Sequence, residues 1–116
     1  MLLVERRRGE SVWIGDFVQV EVREIGHKAI QLGIRAPRDV LILRDNVSQR
    51  TARTRWREEG SAPYMLFVRR HAGESLSIGP EIELTALRIH GSHVTLAIRA
   101  PQSMRIRRSD SRAGLQ

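Results

Sequence analysis

The chain of 116 residues carries one pattern twice. Sliding it by 64 positions lays Met1-Leu2-Leu3-Val4-Glu5-Arg6-Arg7-Arg8-Gly9-Glu10-Ser11-Val12-Trp13-Ile14-Gly15 over Met65-Leu66-Phe67-Val68-Arg69-Arg70-His71-Ala72-Gly73-Glu74-Ser75-Leu76-Ser77-Ile78-Gly79. The same shift lays Leu32-Gly33-Ile34-Arg35-Ala36-Pro37 over Leu96-Ala97-Ile98-Arg99-Ala100-Pro101, and Arg44 over Arg108. More than a third of the positions from Met1 to Arg44 are identical under this shift, without a gap. A duplication restricts the fold severely, because both halves must reach the same local structure and pack as near-equivalents. A copy of about 45 residues is also close to the size at which a lone core fails without a staple. The chain has no cysteine to provide one. The copies are therefore expected to complete each other's core.

Within each copy the apolar period is two. Val18, Val20 and Val22 alternate with Gln19, Glu21 and Arg23; Ile30, Leu32 and Ile34 alternate with Gln31, Gly33 and Arg35. Such alternation marks half-buried strands. Gly26-His27-Lys28 reads as the hairpin turn between them, and His90-Gly91-Ser92 as its counterpart. Proline lacks the ladder donor, so Pro37 and Pro101 end each fourth strand. Fifth strands are expected at Val40–Leu43 and Met104–Arg107. The first copy then adds a helix over about 45–59, capped at Asp45 or Asn46 and ended by Gly60. This divides the chain into a first repeat at 1–59, a linker at 60–64 and a second repeat at 65–116 with a shortened C-terminus. The expected fold is all-β with a short helix, two five-stranded repeats making one pseudo-symmetric unit.

Composition narrows the function. Twenty Lys+Arg against 13 Asp+Glu give a net charge of +7, and Lys28 is the only lysine. An arginine-dominated basic surface suits phosphate and, through its forked donors, base edges. The absence of cysteine excludes disulfides, thiolate metal sites and thiol nucleophiles. No apolar run approaches a membrane span, and the charges follow the first apolar residues instead of preceding them, so a cytoplasmic protein is expected. Gly9-Glu10-Ser11 and Gly73-Glu74-Ser75 lack the Gly-Lys-Ser/Thr of a phosphate loop and read as turns. His27, His90 and His93 sit at hairpin turns without a third ligand, so no metal is expected there. Trp13 and Phe17 read as core or partly exposed packing. The five aromatic residues are dispersed along the chain, which argues against a stacking platform.

The pattern Met1-Leu2-x-x-x-Arg6-Arg7-x-Gly9-Glu10-Ser11-x-x-Ile14-Gly15-Asp16, followed by Gly33-Ile34-x-Ala36-Pro37 and Arg44, resembles the carbon storage regulator family (CsrA/RsmA). It returns from Met65 to about Ser109. The resemblance implies an intertwined, strand-exchanging dimer, here folded within one chain, that binds GGA triplets in mRNA leaders and antagonist small RNAs to control translation. It implies no catalysis and no cofactor. One implied RNA site joins Val4, Arg6 and Arg7 to Ile106, Arg107 and Arg108. The other joins Val68, Arg69, Arg70 and His71 to Ile42 and Arg44. Glu5 and its counterpart Arg69 would make the sites unequal, the second being the stronger. A monomeric pseudo-dimer is expected, with a strand-exchanged dimer as the other assembly. Two further readings stay open: a degenerate member acting as a protein-interaction or decoy module, and a non-specific basic RNA/DNA binder.

Overall fold

The computed structural model describes residues 1–37, 39–44 and 64–109. They form ten strands: β1 (Leu2–Arg7), β2 (Ser11–Ile14), β3 (Val18–Ile25), β4 (Ala29–Ala36), β5 (Ile42–Arg44), β6 (Tyr64–His71), β7 (Ser75–Ile78), β8 (Ile82–His90), β9 (His93–Arg99) and β10 (Ile106–Ser109). The helix expected over 45–59 lies outside the described residues, as do 60–63 of the expected linker. Tyr64, placed in that linker by sequence, is instead the first residue of β6. The fifth strands start two residues later than expected, at Ile42 and Ile106, because Val40 and Met104 close tight turns on the carbonyls of Pro37 and Pro101.

The strands make two antiparallel five-stranded sheets that exchange strands between the copies. The first sheet runs β1-β9-β8-β7-β5, and the second β10-β2-β3-β4-β6. Three central strands of each sheet come from one copy and both outer strands from the other. The exchanged pairings are long: β1 lies against β9 from Leu2↔Ile98 to Arg7↔His93, and β6 against β4 from Ala29↔His71 to Ala36↔Tyr64. Such register is set by the alternation itself, since a slip of one residue would turn every apolar side chain outward.

The inner faces of both sheets supply one continuous core. Val12, Val20, Val22, Leu32 and Ile34 of the second sheet join Leu76, Leu84, Val94, Leu96 and Ile98 of the first, all essentially without solvent exposure. Neither copy could bury these faces alone. At roughly 25 cal/mol per Å² of apolar surface removed from water, this shared burial is the main force holding the copies together.

Matched turns fix where the strands begin. Gly9 and Gly73 take φ of 87° and 93° in the tight turns after β1 and β6, and Gly15 and Gly79 take 70° and 67° after β2 and β7. Side chains with a Cβ rarely adopt these angles. Both glycine pairs are therefore retained in both copies.

Candidate nucleic-acid interface

In each copy a buried arginine ties an outer strand of one sheet to the strand next to the outer strand of the other. Arg6 in β1 is only 8% exposed. Its guanidinium donates to the carbonyls of Glu5 (2.7 Å) and Ser11 (3.3 Å) and lies 3.8 Å from Glu10 Oε1. Ser11 belongs to β2, where it stands in register with Ser109 of β10. The contact therefore ties the edge of the first sheet to the neighbourhood of the edge of the second. Arg70 in β6 repeats the arrangement at 7% exposure, donating to the carbonyls of Arg69 (2.7 Å) and Ser75 (3.0 Å) with its other nitrogen 3.7 Å from Glu74. Ser75 precedes Leu76, the register partner of Arg44 in β5.

The motif glutamates complete these clamps. Glu10 accepts the backbone N–H of Arg7 at 2.8 Å, and Glu74 that of His71 at 2.9 Å. Gly9-Glu10-Ser11 and its counterpart are turns, as the sequence indicates, and the structure shows that they also hold an arginine in place. The His71 backbone donor holds the Glu74 carboxyl below its ordinary value, helped by the His71 ring at 3.3 Å and the Arg70 charge.

The residues singled out from sequence, Arg44 apart, fall into three groups. Val4, Val68 and Ile42 are core members, 4%, 6% and 6% exposed, and Ile106 packs against that core. At these positions only the strand backbone faces outward. β1, β5, β6 and β10 are all outer strands of their sheets, so each has a side without a ladder partner among the described strands. Arg6 and Arg70 are the buried clamps. Arg7, Arg69, His71, Arg107 and Arg108 are exposed on the outer strands. Arg44 ends β5 opposite Leu76.

The structure adds two residues that the sequence reading left as turn residues. Lys28 and His27 line a cleft of about 500 Å³ together with Arg69 and His71. The register of β4 against β6 places the β3–β4 hairpin beside the end of β6, which no local pattern reveals. His90 and His93, at the matching hairpin of the other sheet, meet edge to face at 6.4 Å. Phe17 departs from the packing role expected of it: it lies in the turn before β3 and is 70% exposed, since the buried alternation starts one residue later at Val18.

With the strand exchange and the arginine clamps in place, comparison with known proteins is decisive. The family described as the CsrA global regulator protein family matches residues 1–53 and again residues 65–112. The chain belongs to the CsrA family. It contains two copies of the family unit. The translational regulator CsrA of Clostridium novyi is 43% identical over 44 residues, which are 38% of this chain and 61% of that protein. That of Syntrophomonas wolfei is 41% identical over 49 residues, 42% of this chain and 64% of the relative. That of Clostridium kluyveri is 46% identical over 44 residues, 38% and 60%. The matched stretch thus spans somewhat under two thirds of these CsrA proteins. No solved structure matches the chain significantly.

Proposed function

We propose that this CsrA-family chain is an RNA-binding translational regulator of the cytoplasm that recognises GGA motifs at two composite edges, β1 with β10 and β6 with β5. The observation that carries this reading is the pair of arginine clamps, each tying an outer strand of one sheet to the strand that pairs with an outer strand of the other. The relatives' description as translational regulators supports it, as does the net charge of +7. In this reading Arg6 and Arg70 are positioning residues. Exposed Arg7, Arg107 and Arg108 at one edge, and exposed Arg69, His71 and Lys28 at the other, meet phosphates and guanine edges, joined by Arg44 of β5 as the family resemblance implies. A good bidentate arginine–guanine contact discriminates by about 1–3 kcal/mol. Strand-edge backbone at Val4, Ile106, Val68 and Ile42 reads the remaining base edges. Binding is the function, with no catalytic step.

The test is a titration of a labelled hairpin with GGA in its loop, at fixed moderate salt, beside one carrying CCU. Binding that requires GGA, at one or two hairpins per chain, is the expected result. Equal, salt-sensitive binding to both RNAs would reduce the protein to a basic surface.

A further inference from the structure

The outer face of the second sheet, between β10 and β6, has a chemistry that the outer face of the first sheet lacks. Trp13 in β2 faces outward, since its neighbours Val12 and Ile14 are buried, and the Arg107 guanidinium lies 5.9 Å from the centre of its ring. Across the sheet, the Phe67 ring in β6 is 52% exposed and carries the Arg23 guanidinium at 4.8 Å. Arg23 is the extra residue of a bulge between Val22 and Glu24, a device that re-aims a side chain. It lies down across Gly33, where a Cβ would stand 3.0 Å from the Arg23 Cδ and 3.4 Å from the Phe67 ring. Arg35 and Arg69 share this face, through their register with Met65 and Gln31.

The duplication supplies an internal control. The equivalents of Trp13, Phe67, Arg23, Arg107 and Arg69 on the first sheet are Ser77, Leu3, Leu87, Leu43 and Glu5. Two rings far apart in sequence, Trp13 and Phe67, are thus brought onto this face. Four arginines there outweigh Glu21 and Glu24, the former lying 3.7 Å from Arg23. A guanidinium stacked on a ring is fixed in place and still presents its N–H edge to an anion. Rings offer stacking to any base. The face spans four inter-strand spacings of about 4.8 Å, or about 19 Å, and each end is an edge already assigned to RNA.

From these observations we infer that this face binds single-stranded RNA without sequence preference, holding the unpaired strand that leaves either composite edge. The inference rests on the RNA-binding reading but not on its GGA specificity. A labelled 15-nucleotide oligouridine is titrated against the wild-type chain and against a variant combining Trp13→Ser, Arg23→Leu and Phe67→Leu. Each replacement is the residue the other copy uses, and a melting curve checks that the variant folds. The affinity for oligouridine is expected to fall at least tenfold, while the affinity for a GGA hairpin without single-stranded tails changes less than twofold. Ultraviolet crosslinking of the wild-type chain to oligouridine is expected at Trp13 or Phe67. No oligouridine binding, an unchanged affinity in the variant, or crosslinks confined to other residues would overturn the inference. Loss of GGA dependence in the hairpin titration would overturn the triplet reading alone.

Discussion

The two sheets are alike where they face each other and different where they face water. On the inner faces Ile14, Leu32 and Ile34 meet their own kind in Ile78, Leu96 and Ile98, while Val12, Val20 and Val22 become Leu76, Leu84 and Ala86. Two positions gain volume and one loses it, a repacking that a close-packed core tolerates. On the outer faces a tryptophan becomes a serine and an arginine a glutamate. Strand exchange explains the contrast. Each copy's core residues pack against the other copy's, so neither inner face can change alone, whereas no described strand packs on either outer face.

The largest effects should come from the shared core. Leu32→Ala and Leu96→Ala each remove a side chain with no exposure, at an expected cost of about 2–5 kcal/mol. Both variants should still unfold in one transition in a denaturant titration. A second transition, with only one copy affected, would mean that the copies are separate units and would break the account of exchanged strands.

The clamps come next. Arg6→Ala and Arg70→Ala each forfeit charged hydrogen bonds worth about 1.5–3 kcal/mol. Because the two networks match in partners and burial, the losses should agree within about 1 kcal/mol by urea denaturation. A much larger loss at one clamp would show that divergence has reached the sheet-to-sheet contacts.

Outer-strand charge should matter for ligand more than for folding. Arg69→Glu is expected to weaken a GGA hairpin severalfold at the β6 edge, and Glu5→Arg to strengthen the β1 edge by a similar factor, both effects shrinking as salt rises. Equal responses in the same direction would remove the asymmetry drawn from these positions.

Much of this architecture is legible in the sequence, for identifiable reasons. The repeat is visible because core alternation and positive-φ glycines leave little freedom at Ile14, Gly15, Leu32 and Ile34. The need for a joint core follows from copy length and the lack of cysteine. Burial of Arg6 and Arg70 is not legible, because arginine within an exposed-looking Arg6-Arg7-Arg8 run carries no sign of the carbonyls it will meet. The Trp13–Arg107 and Phe67–Arg23 pairs are hidden for a related reason: each joins residues of different copies, brought together only by long-range register.

The smallest difference concerns the carboxylates at the two turns. Glu74 is pulled below the ordinary carboxylate range, first by the backbone N–H of His71 and then by the His71 ring and Arg70. Its folded value lies below its unfolded one. The stabilisation is therefore complete above the ordinary value and is lost as pH falls through the folded value. Glu74→Gln should consequently lower the melting temperature most at pH 5.5, with the gap to wild type closing towards pH 3. The matched Glu10→Gln, whose turn presents Arg7 in place of His71, isolates the ring's part. A gap that stays constant over this range for Glu74→Gln would assign the turn's stability to hydrogen-bond geometry alone. It would leave the histidine–arginine exchange without consequence for folding.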